Sequence, residues 1–298
     1  GLWPFPDSRS KIPCRAPPEE VPARRRIWNR SLSGPEEDEV IRLTLLQLQN
    51  ITESYQAENG EIFALDNISF SMEKGEFLSI VGPSGCGKST LLSIIAGLLR
   101  PTSGAVLLEG KEVAGVEPRI GYMLQKDNLL EWRTIWRNVV FGLELRRQLN
   151  SETAARAEGL LRSYGLWEFR EKYPSQLSGG MRQRAALIRT LATSPEILLL
   201  DEAFSALDYQ TRLTVTDDVY RILRQEGITT LMVTHDIPES ISMGDRVLIL
   251  TSRPARVREM MEIDFGPTRT PLTCRGDPRF SRYFDHIWKE LKDDDSQK

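Results

Sequence analysis

One segment, Gly82-Pro83-Ser84-Gly85-Cys86-Gly87-Lys88-Ser89, constrains this chain more than any other. It matches G-x-x-x-x-G-K-[ST] and stands between a short apolar strand pattern at 77–81 and a buried helix pattern at 89–98, which Pro101 stops. Glycines there let backbone N–H groups turn inward and cradle phosphate oxygens. The helix that follows directs its positive end at the same anion. Lys88 is placed to reach the outer phosphates and the Ser89 hydroxyl to ligate Mg²⁺. Strand signals return at 196–200, 229–233 and 246–250, with helical segments between them. Strands alternating with helices predict an α/β fold with a parallel, doubly covered sheet. Residues 45–50 and 68–72 alternate apolar and polar as half-buried strands do, and the region near 128–180 is mostly helical in pattern, a separate lobe. Beyond Thr251 the pattern weakens, leaving a strand-like piece at 257–265 and a last helix at 277–291.

A phosphate loop alone does not separate kinase, GTPase, helicase and transport motor. Ile197-Leu198-Leu199-Leu200-Asp201-Glu202 is an apolar strand ending in two carboxylates. A buried strand would deliver Asp201 rigidly to a magnesium shell, and Glu202 to the terminal phosphate, where it polarises the attacking water. Shortly before it runs Leu177-Ser178-Gly179-Gly180-Met181-Arg182-Gln183-Arg184. Two glycines opening a helix permit close backbone approach to an anion, and Ser178 adds a hydroxyl. The chain therefore carries two phosphate-binding devices. A lone phosphotransferase leaves the second without a purpose, and the Asn-Lys-x-Asp base reader of a GTPase is missing.

With these motifs in order, residues from about 41 to 255 resemble the ABC (ATP-binding cassette) ATPase family. The resemblance implies a P-loop NTPase: a RecA-like core with a parallel sheet, an antiparallel β subdomain and an α-helical subdomain at about 127–180. It implies ATP as substrate and Mg²⁺ as cofactor, with 82–89 and Thr90 forming the nucleotide loop. Tyr55 is implied as the aromatic that stacks on adenine, with Phe63 a rival. Gln125 is implied as a residue that senses magnesium and links to the helical lobe, and His235 as a contact to the terminal phosphate. Ser205-Ala206-Leu207-Asp208 would cross a dimer interface, and Ser178, Gly179 and Gly180 would complete the partner's site. The expected partner is a second copy or a homologous ATPase, in a closed two-fold pair.

Residues 129–139, 251–257 and 277–280, with Ile287-Trp288, resemble bacterial nitrate, sulfonate, taurine and bicarbonate importers. That implies uptake of a small, anionic solute through separate permease subunits, with a separate solute-binding protein, at the cytoplasmic face of the cell membrane. The alternative is a soluble ABC ATPase acting on ribosomes or DNA. Trp132 and Trp136 are four apart, so they could pair on one helix face or dock a permease.

Composition narrows these readings. The 298 residues carry a formal net charge of −3, which offers no electrostatic case for nucleic acid. No run approaches the ~20 apolar residues of a membrane span, so a pathway must come from another chain. Cys14, Cys86 and Cys274 have no metal-ligand spacing and predict a reducing compartment, with Cys86 a tolerated small residue. Residues 1–39, rich in proline and charge, read as a flexible extension, 40–255 as the ATPase domain and 256–298 as a tail. His286, in the tail, receives no role.

Overall fold

The computed structural model describes residues 44–57, 60–266 and 268–295; the extension expected at 1–39 lies outside them. Two long strands, β1 (Thr44–Ala57) and β2 (Gly60–Glu73), form an antiparallel hairpin. Next come β3 (Phe77–Val81), α1 (Lys88–Ile95), β4 (Ser103–Leu108), β5 (Lys111–Glu112) and β6 (Ile120–Met123). The helical region holds α2 (Ile135–Val139), α3 (Phe141–Leu145), α4 (Ser151–Ser163) and α5 (Gly179–Leu191). After it run β7 (Ile197–Asp201), α6 (Tyr209–Glu226), β8 (Thr229–Thr234), α7 (Ile237–Met243) and β9 (Arg246–Leu250). The chain closes with β10 (Val257–Glu262), α8 (Pro271–Cys274) and α9 (Pro278–Asp295).

A four-stranded antiparallel sheet has the order β2-β1-β4-β5, and a six-stranded sheet the order β10-β9-β3-β8-β7-β6. The five strands from β9 to β6 are parallel, as the βα alternation predicts; β10 returns antiparallel on β9. Strands β3, β7 and β8 are buried throughout, which explains their continuous apolar runs. Their residues still divide by parity. Leu78, Ile80, Leu199, Leu231 and Val233 pack with α1 and the antiparallel sheet. Phe77, Leu198, Leu200 and Met232 pack toward α5, α6 and the helical region. Register places Val81 beside Thr234 and Val233 beside Asp201. The segments leaving β3, β7 and β8 therefore emerge in a row at one edge, the place where open parallel sheets hold their ligands.

In the helical region Trp136 meets Trp167 edge-on, with ring centroids 6.4 Å apart. Trp132 precedes α2 and is 75% exposed, so the two tryptophans do not pair. The loop carrying it is organised by Asn138, which is fully buried. Its Nδ2 donates to the carbonyls of Leu130, Arg133 and Thr134 at 3.0–3.1 Å, and its Oδ1 accepts from Leu130 N–H at 2.7 Å. At the C-terminal end the weakly patterned segment is docked. Ile287 of α9 is buried with Val81, Ile241 and Ile249. An Arg258–Glu290 ion pair at 2.6 Å and a 2.8 Å contact between His286 Nε2 and Glu259 Oε2 fasten α9 to β10.

Candidate nucleotide site

Gly87, at φ 117°, has no room for a side chain: a Cβ would stand 2.9 Å from Leu65 Cδ2 and 3.1 Å from the Ala64 carbonyl. The loop thus depends on glycine for both conformation and space. Lys88 is nearly buried, and its ammonium donates to the carbonyls of Gly82 and Pro83 at 2.8 and 3.0 Å. Cys86 is 1% exposed, and burial pushes its thiol up, as expected of an inert small residue.

Across the row, Ser89 donates its hydroxyl to Asp201 Oδ1 at 3.0 Å, and Tyr122 donates its own to Oδ2 at 3.1 Å. Burial raises the Asp201 carboxyl, and those two hydroxyls work against the rise. A carboxylate and a serine hydroxyl in contact form the hard oxygen set that suits Mg²⁺. Glu202, one residue on, has φ 45°, a left-handed conformation rare for a residue with a side chain. Such strain costs about 1–3 kcal/mol and clusters at functional positions. Here the N–H of Glu202 bonds the Val233 carbonyl at 3.0 Å, which holds the turn. Its Oε2 lies 3.1 Å from His235 Nδ1, and Gln125 Nε2 reaches the same oxygen at 3.4 Å. Residues far apart in sequence, Ser89, Gln125, Asp201, Glu202 and His235, are thus one constellation.

Ser178 caps α5, accepting from Met181 N–H at 3.3 Å. Gly180 is buried, and a Cβ there would meet Val215 Cγ2 of α6 at 2.9 Å. Its smallness serves helix packing as well as any approach to an anion. Asp208 is exposed and caps α6 through Thr211 N–H. Tyr55 and Phe63 are both about 43–44% exposed. Pairing of Ser54 with Phe63 and of Tyr55 with Ile62 sets them on opposite faces of the hairpin. Phe63 is the sequence neighbour of Ala64, whose carbonyl packs against Gly87 of the loop.

Comparison with known proteins decides the family. The ABC transporter family profile matches residues 65–205. An uncharacterized ABC transporter ATP-binding protein, YtlC of Bacillus subtilis (strain 168), is 46% identical over 250 residues, spanning 84% of this chain and 96% of its own. The chain belongs to the ABC transporter ATP-binding proteins. This ABC ATPase binds and hydrolyses ATP. It is 38% identical to the taurine import ATP-binding protein TauB of Jannaschia sp. (strain CCS1), over 82% of this chain and 93% of that one. The nitrate import ATP-binding protein NrtD of Synechocystis sp. is also 38% identical, over 83% and 95%. Among solved structures, the dimeric cassette MJ0796 in a post-hydrolysis state with ADP and Pi aligns with a TM-score of 0.64 at 31% identity, covering 74% of this chain and all of that one.

The structure adds residues to this ABC ATPase that motif reading passed over. Tyr122 enters the Asp201 site from β6, with its hydroxyl pushed far up by burial and by the neighbouring Asp201 carboxylate. Gln183 donates its amide to the Ala203 carbonyl, next to Glu202. Arg189 of α5 donates to the Asp127 and Asn128 carbonyls at 2.8 and 2.6 Å, and Arg182 pairs with Asp127 at 3.0 Å. The helix that begins with Ser178 is therefore bolted to the segments after Gln125 and after Glu202. The apolar strand before Gln125 was the only local signal for Tyr122. The polar positions on α5 had none, because a helix face reveals its partners only when packed.

Proposed function

We propose that this ATPase drives uptake of a small anionic solute, of the nitrate, sulfonate, taurine or bicarbonate type, through separate permease subunits supplied by a solute-binding protein. Similarity to taurine and nitrate import ATPases along nearly their whole lengths carries the reading. No helix among the described residues is long and apolar enough to cross a membrane, which agrees with a pathway formed by other chains. The protein then works at the cytoplasmic face of the membrane, as one of two cassettes paired head to tail. The division into 1–39, an ATPase domain at 40–255 with its helical part at about 127–180, and a tail at 256–298 belongs to this proposal.

In the proposed chemistry the loop from Gly82 to Ser89, with Thr90, binds the phosphates, and Lys88 turns its ammonium from the loop carbonyls to the outer phosphates. Ser89, Asp201 and Gln125 would hold Mg²⁺, which neutralises charge on the terminal phosphate. Glu202 accepts a proton from the attacking water, with His235 orienting the carboxylate and reaching the terminal phosphate. Ser178, Gly179 and Gly180 close the site of the partner subunit, Asp208 lies on the shared interface, and Tyr55 or Phe63 stacks on the base. ATP bound between two copies favours the closed pair, and hydrolysis releases it.

Trp132, exposed on the loop braced by Asn138, is the proposed permease contact. Pull-down from solubilised membranes tests the reading: wild-type protein is expected to recover an integral membrane partner and Trp132→Ala to lose it. Recovery of ribosomes or DNA in place of a membrane protein would replace the importer with a soluble ABC ATPase.

A further inference from the structure

Arg212 lies in the first turn of α6, where its backbone N–H donates to the Asp208 carbonyl at 2.8 Å. Its guanidinium turns back toward the ends of β7 and β8. Nη2 donates to the carbonyls of Ser205 and Leu207 at 3.2 and 3.0 Å, and Nη1 to Asp236 Oδ2 at 3.2 Å. The two side chains are about three-quarters buried, at 23% and 26% exposure. Asp236 is held on its other side too. Its Oδ1 accepts from Glu239 N–H at 2.9 Å, and its own N–H donates to Thr234 Oγ1 at 3.0 Å.

These bonds close a ring around the hydrolytic carboxylate. Ser205 Oγ donates to the Glu202 carbonyl at 2.9 Å, the Ser205 carbonyl accepts from Arg212, Arg212 pairs with Asp236, and the residue before Asp236 is His235, whose Nδ1 returns to Glu202 at 3.1 Å. Two segments, one after β7 and one after β8, are thereby pinned to one planar fork. A guanidinium can satisfy two carbonyls and a carboxylate at fixed angles; a lysine ammonium offers no such fork.

We propose that Arg212 is a positioning residue that couples the 205–208 segment to His235, so that a displacement of that segment on pairing with a second cassette resets the histidine against Glu202. The inference rests on the hydrolytic assignment of Glu202 and His235 made above. Arg212 touches neither the phosphate loop nor the expected nucleotide contacts, so its loss acts on turnover and spares binding.

The test uses the full chain and Arg212→Lys, Arg212→Met, Asp236→Asn and the Arg212→Met/Asp236→Asn double variant. Turnover number, KM for ATP, affinity for a fluorescent ATP analogue and melting temperature are measured for each. Both Arg212 variants are expected to lose at least about tenfold in kcat with nucleotide affinity within about twofold of wild type, and the double variant to be no slower than the slower single one. The proposal is overturned by kcat within about threefold of wild type in both Arg212 variants. It is also overturned by losses of kcat, affinity and melting temperature in parallel, or by losses that simply multiply in the double variant. Glu202→Gln serves as the reference: if that variant still turns over ATP, the site assignment fails whatever Arg212 does.

Discussion

At the scale of single residues, Glu202 combines backbone strain with the contacts of a general base. Glu202→Gln keeps the shape and removes the proton acceptor. Phosphate release is expected to fall by about 10²–10⁴-fold while ATP binding persists and a nucleotide-held dimer appears on size exclusion. Near-wild-type release would transfer the role to another group. Glu239, in α7 just beyond His235, offers a separate test. Burial raises its carboxyl from an ordinary 4.5 to about 7, with Asp236 adding to the rise and the Thr234 hydroxyl, Arg212 and His235 opposing it. The folded protein therefore keeps this proton at pH values where the unfolded chain has lost it. Stability associated with Glu239 is greatest at the acid end and declines as pH rises from about 4.5 to about 7. Glu239→Gln is expected to remove that decline, seen as a flatter melting temperature across the interval; identical profiles for the two proteins would refute it.

At the scale of elements, α5 and the loop before α2 carry the argument. Gly180 packs on Val215, so Gly180→Asp would disturb the fold as well as any composite site. Ser178 is exposed, which makes Ser178→Arg the cleaner probe. It is expected to bind ATP and fail to hydrolyse it. Mixed with Lys88→Ala it gathers both lesions in one site of a heterodimer, and random pairing then restores roughly a quarter of wild-type activity. Absence of any restored activity would contradict shared sites. Asn138 governs the other element: Asn138→Leu strips four hydrogen bonds from the 130–134 loop. A loss of about 1–3 kcal/mol is expected in chemical unfolding, because buried backbone groups lose their partners. An unchanged unfolding midpoint would mean that the loop holds itself.

At the scale of the whole molecule, the proposed coupling to a permease would run from the nucleotide site to the outer surface through α5. Arg182 and Arg189 tie that helix to the residues after Gln125, and the same region leads to Trp132. Arg133 is a poor probe of docking, because it pairs with Glu144 at 2.6 Å and lies over the Phe141 ring. Trp132→Ala changes only an exposed side chain. Transport in reconstituted vesicles is expected to fall at least tenfold while ATP turnover by the isolated subunit stays within about twofold. Equal loss of both activities would place Trp132 in the fold and remove it from the coupling surface.

What the sequence determined by itself were the features in which chemistry is contiguous: the phosphate loop, the Asp201-Glu202 strand end, and the serine and glycines that open α5. Each depends on backbone conformation and side-chain type within about ten residues, so its pattern survives without the fold. The buried strands were legible for the same reason, since continuous apolar runs follow from burial on both faces. Tertiary structure alone decided the rest. Strand order β3-β8-β7 brought residues 82–89, 201–202 and 235 to one edge, and β10 turned antiparallel to cover β9. Trp136 found Trp167, Tyr122 found Asp201, and Arg212 joined two loops. These contacts link positions tens of residues apart, and their register is set by packing, which no local pattern encodes.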